Sequence, residues 1–503
     1  MANTQLVLAI DQGGQSSRVA VYTIDGKQLH CFSSPCATVH RQVDGVNYIE
    51  QNPLDILGGI KECLAHIEEA LGDHVNAICA AGFAGQGSSM LCWDNQTGEA
   101  LSPVISWQDV RGDTYLNAIP LTHAQAQAIT GLRVSAHYGA SKIRWCLDHN
   151  ERVMQAQQNN TLSIGPIVSF IFWHLCETGN VDPGHAQRTL LWNLATNNWD
   201  DYLLRLFNIP QAILPECKYH NNHFGDVRLG QHFVPFTASA RDQGASLFAR
   251  GLPEREACYI NIGTGAFIQR VSQHLQAPDG LLVSPLWLPK QRPHLLAVEV
   301  SSPTCYMPEF IAPVAIQGTR FYAWEATVNG AASALEFMRQ QTGMAVTPAD
   351  IRDALQAEPA GECYFLNAVG GLSAPYWRND LKSIFSKGLS AHEKILAWLE
   401  SILFQIAVNI KLMGDLPQKI YISGGFSNAD TLCQKFADLL GVPVHRSENT
   451  DATLQGIAYM AAGLPSVWAA CPAEEVFHPR ENILLRKRFI CWQERLAMWI
   501  ANN

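Results

Sequence analysis

Two apolar segments end in glycine-rich turns that carry hydroxyls. Leu6-Val7-Leu8-Ala9-Ile10-Asp11 runs into Gln12-Gly13-Gly14-Gln15-Ser16-Ser17-Arg18, and Cys258-Tyr259-Ile260-Asn261-Ile262 runs into Gly263-Thr264-Gly265. Each reads as a β-hairpin. Glycine lets the backbone approach a bound group closely, and bare amides donate to an anion without adding charge, so such turns suit a phosphate. Asp11, a carboxylate at the end of an apolar strand, suits a magnesium ion held directly or through water beside phosphates. Either turn taken singly reads more readily as an ordinary hairpin. Two of them, roughly half a chain apart, point to duplicated domains facing each other across a nucleotide.

The elements that must hold these turns follow a similar order in both halves. Asn52 ahead of Pro53 opens a helix to Leu71, with Leu54, Leu57, Ile60, Leu64, Ile67 and Leu71 at helical spacing. A buried strand over 75–81 then empties into Gly82-Phe83-Ala84-Gly85-Gln86-Gly87-Ser88-Ser89. In the second half Lys419–Ser423 empties into Gly424-Gly425-Phe426, and a helix from Asp430 to Leu440 stops at Gly441. Glycines between a strand and a helix put backbone amides beside whatever is bound, although the same pattern also makes a plain connection. Further helices are expected over 334–341 and 391–411. The boundary falls just past Phe248, giving domains 1–248 and 249–503, and a cleft between two α/β lobes is the default ligand site.

Composition removes several classes of function. At 503 residues the chain exceeds one core, and 47% hydrophobic against 16% charged residues leaves little for disordered tails. The net charge of -10 and the lack of a lysine and arginine run argue against a nucleic-acid partner. Fourteen cysteines are scattered without a C-x-x-C pair or zinc spacing, as expected of free thiols in a reducing cytoplasm. No signal peptide is legible, and the apolar stretch 164–176, interrupted by Gly165, Pro166, Ser169 and His174, is too short for a bilayer, so a buried helix and a cytoplasmic protein are expected. There is no P-loop and no H-E-x-x-H, and Gly371-Leu372-Ser373-Ala374-Pro375 lacks the last glycine of a nucleophile elbow.

Five motifs in order resemble the FGGY family of carbohydrate kinases, in a spelling nearest to its glycerol kinases: Asp11-Gln12-Gly13 with Ser16-Ser17-Arg18, Ile105-Ser106-Trp107-Gln108-Asp109 with Arg111, Asp242-Gln243-x-Ala245-x-Leu247-Phe248, Gly263-Thr264-Gly265-x-Phe267, and Ala374-Pro375-Tyr376-Trp377. The resemblance covers nearly the whole chain. It implies an α/β, two-lobed actin-like (ribonuclease-H-like) ATPase fold of duplicated domains with a central cleft, ATP and Mg²⁺ as cofactors, and a small-molecule sugar or polyol as substrate. It also implies that Asp242 is the general base, that Asp11 helps position the magnesium, that Gln15, Ser16 and Arg18 with Gly263, Thr264 and Gly265 surround the phosphates, and that Gly424 and Gly425 lie against the adenosine. From its own neighbours alone Asp242 reads as the N-cap of the helix begun by Ala245, Leu247 and Phe248. A carboxylate there serves phosphoryl transfer, which needs positioning, a metal and a base to orient the nucleophile.

The substrate loop departs from the pattern. Where glycerol kinases hold their polyol with an Arg-Glu pair, this chain has Gln86-Gly87-Ser88, and His137 stands in place of a pocket tyrosine. The charged clamp is missing, which removes donors and opens volume. The expected substrate is therefore a ketose or polyol of about four to six carbons, bound by Gln86, Gly87, Ser88, Trp107, His137, Asp242, Gln243 and Phe267, with Asp109 and Arg111 nearby. Glycerol kinase proper, a non-kinase ATPase and a catalytically inactive sugar- or nucleotide-binding relative stand as alternatives. A homodimer is left open.

Overall fold

Leu6–Gln12 is apolar on both faces and buried at every residue, the pattern of a strand covered from both sides. In the computed structural model, which describes residues 5–289, 319–359, 361–447, 451–469 and 474–503, it lies inside a six-stranded sheet. The order is Asp226–Leu229, His232–Arg241, Ile78–Gly85, Leu6–Gln12, Ser16–Thr23, Gln28–Pro35. Leu6–Gln12 is antiparallel to Ser16–Thr23 through the glycine turn and parallel to Ile78–Gly85, which is parallel in turn to His232–Arg241.

The chain forms two compact units, Met1–Pro253 with Ser284–Tyr322 and Asp451–Ala470, and Glu254–Val283 with Ala323–Thr450 and Cys471–Asn503. In the first, helix Pro53–Leu71 starts where Asn52 Oδ1 accepts from the Leu54 N–H at 3.1 Å, and it buries Ile56, Leu57, Ile60, Cys63, Leu64 and Ile67. Leu54, expected on the apolar face, is exposed. A methyl group at Gly59 would meet Ser34 Oγ at 2.7 Å, so that glycine lets the helix lie close on its sheet. Helix Ala452–Ala461, from far along the chain, also belongs to this unit. Gly456 sits where a side chain would meet Ala245 O at 1.8 Å.

Two boundaries differ from expectation. The strand assigned to 75–81 begins at Ile78, after a 3₁₀ turn over Gly72–Ala77, and runs on through Gly85. Its glycines belong to the sheet because Gly82–Gly85 pair with Ala9–Gln12, and no side chain fits at Gly82, where a methyl would lie 2.7 Å from Ile457 O. The stretch 164–176 divides at Pro166 into strand Leu162–Pro166 and helix Ile167–Cys176.

In the second unit, hairpin Ala257–Ile262 and Ala266–Ser272 lies beside the parallel strand Lys419–Ser423, then parallel Val444–Ser447, then antiparallel Glu474–Phe477. This is the strand order and sense of the first unit repeated. Helix Asp430–Leu440 ends at Gly441 in the left-handed conformation, φ 72°. Among the described residues one helix, Ala391–Leu412, is long and apolar enough to cross a membrane, yet nearly all of its apolar residues are buried in this unit's core. The twelve described cysteines are free thiols.

Candidate active site

The first glycine turn is held closed by the Gly13 N–H donating to Ser16 O at 2.9 Å. Strand register sets Asp11 opposite Arg18, whose Nη2 reaches Asp11 Oδ2 at 2.5 Å while Nη1 reaches Asp451 Oδ1 at 2.5 Å. Burial pushes the Asp11 carboxyl up to about 6, Arg18 opposes the shift, and the charges of Asp242 and Asp451 add to it. Asp11, Asp242 and Asp451 therefore repel one another's charge, and Arg18 bridges Asp11 and Asp451. A hard divalent cation such as Mg²⁺ beside Asp11 would relieve that repulsion, since such an ion keeps several waters and takes oxygens from phosphates; among the described residues no group of three or more His, Cys, Asp or Glu side chains is placed to hold a metal by itself.

Asp242 follows directly on strand His232–Arg241 and is the first residue of a short helix, Asp242–Ala245, whose N-cap position belongs to Arg241. The expected N-cap role thus falls one residue earlier. Asp242 Oδ1 accepts the Gln243 N–H at 2.7 Å. The side chain is half-buried. Its carboxyl is raised by removal from water, against the pull of the Gln243 N–H and of the charges of Arg241, His185 and Arg188.

Behind this helix lies a polar network that sequence reasoning missed. Asp182, wholly buried, accepts from Ser239 Oγ at 2.8 Å and from the His185 N–H at 3.1 Å, and pairs with His185 Nδ1 at 2.5 Å. The other His185 nitrogen lies 3.2 Å from Gly85 O, and His220 Nε2 is 3.9 Å from Asp182. Burial works to raise the Asp182 carboxyl, but His185, His220 and Ser239 outweigh it and hold it well below the usual range. Burial lowers His220 to about 4. The network ties the ends of strands Ile78–Gly85 and His232–Arg241 together immediately before Gln86 and Asp242. Its only sequence signal is polar residues in otherwise apolar surroundings.

The expected substrate residues of this unit fall into two groups. Gln86 is buried with both ends of its amide engaged, Nε2 donating to Gln51 Oε1 at 2.8 Å and Oε1 accepting from Ser89 Oγ at 3.1 Å. It braces the loop against the glycine turn, since Gln51 in turn donates to Gly14 O at 2.8 Å. Ser88 is buried in the left-handed region, φ 63°, and its Oγ has no partner among the described residues. Lys142, wholly buried and lowered by that burial to about 7, donates to Ser88 O at 3.2 Å and to His137 O at 2.7 Å. Trp107 and His137 are half-buried and face each other at 5.4 Å. Gln243 is half-buried beside Asp242. Asp109 and Arg111 instead form a buried ion group with Glu50, at 2.7 Å for each Arg111 pair, with the guanidinium 3.9 Å from the Tyr48 ring centre.

In the second unit Gly263 donates to Gly265 O at 2.9 Å, and Gly265 leaves room for Val328 O, which a methyl would meet at 2.9 Å. Thr264 is exposed at the tip, and Phe267 is exposed on the returning strand. Gly424, at φ 92°, packs so tightly on Ile262 that a methyl would lie 2.5 Å from its carbonyl oxygen. The strand-end glycine and the second turn are thereby neighbours, and Gly425 is exposed beside them.

Repeated sheets, each with a glycine hairpin beside parallel strands, give the chain the actin-like ATPase fold. The structure resembles the crystal structure of Plasmodium falciparum glycerol kinase with ADP (TM-score 0.82, 21% identity, 98% of each chain) and a ligand-bound xylulose kinase from Lactobacillus acidophilus (TM-score 0.78, 19% identity, 99% of this chain and 97% of that one). A curated glycerol kinase from Enterococcus casseliflavus is 28% identical over 487 residues, 93% of this chain and 90% of its own. Family models of the N-terminal and C-terminal domains of the FGGY family of carbohydrate kinases match residues 6–249 and 294–463. The chain belongs to the FGGY family of carbohydrate kinases. It is a phosphotransferase that uses ATP, with Mg²⁺ as its usual partner.

Proposed function

We propose that this kinase transfers the γ-phosphate of ATP to a hydroxyl of a ketose or polyol larger than glycerol, with Asp242 as general base. The observation that carries the reading is the setting of Asp242: a half-buried carboxylate of raised proton affinity, at the end of a central strand and within electrostatic reach of Asp11. A carboxylate with raised affinity is a better acceptor for a hydroxyl proton at neutral pH than an ordinary one. Asp11 would hold Mg²⁺, which neutralises charge on the transferring phosphoryl group when bound. Gln15, Ser16 and Arg18 line the phosphate side in the first unit; Gly263, Thr264, Gly265, Gly424 and Gly425 take the nucleotide in the second. Substrate and phosphate binding fall to the N-terminal lobe, 1–248, and nucleotide binding to 249–503, of which Ser284–Tyr322 and Asp451–Ala470 fold back into the first unit.

For the acceptor, Gly87 and Ser88 in place of an Arg-Glu pair support a substrate other than glycerol, with Trp107, His137, Gln243 and Phe267 offering sugar-binding faces. A cytoplasmic location suits free thiols and an ATP requirement. ADP release measured across glycerol, longer polyols and ketoses tests the substrate: kcat/KM highest for a larger acceptor is expected, and glycerol preferred over all of them refutes this part.

A further inference from the structure

We propose that Lys142 is a positioning residue for the acceptor: its amino group draws the backbone carbonyls of Ser88 and His137 together and thereby fixes the facing rings of Trp107 and His137. The proposal rests on the reading that puts Ser88, Trp107 and His137 at the acceptor. Lys142 Nζ donates to Ser88 O at 3.2 Å and to His137 O at 2.7 Å. The side chain is wholly buried, and both of these bonds go to carbonyls rather than to a carboxylate. The charges that act on it, Asp109 and Arg111, are engaged with each other at 2.7 Å.

The two carbonyls belong to a closed circuit of contacts. Ser89, next to Ser88, accepts the Trp107 N–H on its Oγ at 3.1 Å, the Trp107 ring faces the His137 ring at 5.4 Å, and the His137 carbonyl returns to Lys142. Ser89 Oγ also donates to Gln86 Oε1 at 3.1 Å, so the loop expected to take the acceptor is tied into the same circuit. Helix Gly139–His149, which carries Lys142, is itself pinned where the Gly139 N–H donates to Arg188 O at 3.0 Å and the Ala140 N–H to Thr189 O at 2.6 Å. The pull on the loop therefore comes from a fixed base. Ser88 shows why a hold is needed, because φ 63° is left-handed backbone that a serine rarely adopts and keeps only where its surroundings impose it. An ammonium is a stronger donor to a carbonyl than a neutral group. Packing alone would be served by a methionine, and the amine adds the two bonds.

The test is steady-state kinetics of the full chain, with its best acceptor and MgATP, for Lys142→Met and Ser89→Ala, which open the circuit at two different links. Lys142→Met is expected to raise KM for the acceptor about 10- to 100-fold, while KM for ATP stays within about twofold and kcat at saturating acceptor within about threefold. Ser89→Ala, which loses neutral bonds, is expected to raise the acceptor KM about 3- to 10-fold with the same split. Because both act through one circuit, the double variant is expected to lose less than the product of the single losses. A folded Lys142→Met enzyme whose acceptor KM stays within about twofold of wild type overturns the proposal, and so do acceptor and ATP KM values that rise together or a double loss equal to the product. Should Lys142→Met fail to fold, Ser89→Ala decides, and an unchanged acceptor KM there overturns the proposal. In each of these outcomes acceptor-dependent ADP release persists and the kinase reading stands; a wild type without it overturns both.

Discussion

Asp242 and Arg18 show how far single residues announce themselves. Asp11 and the first glycine turn were legible because strand, turn and carboxylate are contiguous in the chain, whereas Asp242 read from its neighbours only as a helix N-cap and was singled out by the resemblance. Arg18 was singled out by the resemblance as a phosphate-side cation, but its partner Asp451 lies 433 residues away, where no local pattern could pair them. Asp182 and His185 were invisible for the same kind of reason, since their value comes from Ser239 and His220 on other segments. Two predictions belong at this scale. Because the Asp242 carboxyl is raised, it stays protonated at pH values where an ordinary aspartate is ionised, so kcat/KM should fall on acidification with a half-point above that of an ordinary aspartate. Arg241→Gln removes a charge that opposes the rise and should move the half-point to higher pH; a pH profile with a half-point at or below that of a free aspartate contradicts this. Arg18→Met should leave Asp11 and Asp451 facing each other without their bridging cation. A loss of about 1–3 kcal/mol in denaturant unfolding is expected, together with a higher KM for MgATP.

Elements were read well where periodicity and caps agreed, as in Pro53–Leu71 and Asp430–Leu440, and less well where tertiary pairing overrode composition. Gly82-Phe83-Ala84-Gly85 looks like a loop, yet it is strand because its neighbours pair it and because glycine alone clears Ile457. The same closeness makes helix Ala452–Ala461 a lever on Asp242, the proposed base. Its Gly456 faces Ala245, the last residue of the short helix that Asp242 opens. A methyl there must move one helix off the other. Gly456→Ala is therefore expected to lower stability by about 1–3 kcal/mol and to reduce kcat more than it raises KM for the acceptor, as followed by chemical denaturation and steady-state kinetics. Wild-type stability in this variant would mean that the two helices can part without cost.

At the scale of the molecule the duplication was legible from two hairpins and two strand-end glycine turns, whereas the segmented make-up of the units was not. The first unit takes back Ala452–Ala461 after the chain has built most of the second, and that helix packs on strands Leu6–Gln12, Ile78–Gly85 and His232–Arg241. A fragment of residues 1–253 is accordingly expected to lack a cooperative thermal transition by circular dichroism, and a sharp transition would show that the returning helix is dispensable. Chemistry is the firmer ground for the whole. The most direct measurement is acceptor-dependent ADP release by the wild type and by Asp242→Asn under saturating MgATP. Removal of the base should cost about 10²- to 10⁴-fold in kcat while ATP still binds; an Asp242→Asn enzyme that keeps most of its acceptor-dependent turnover would contradict the assignment of Asp242 as the base.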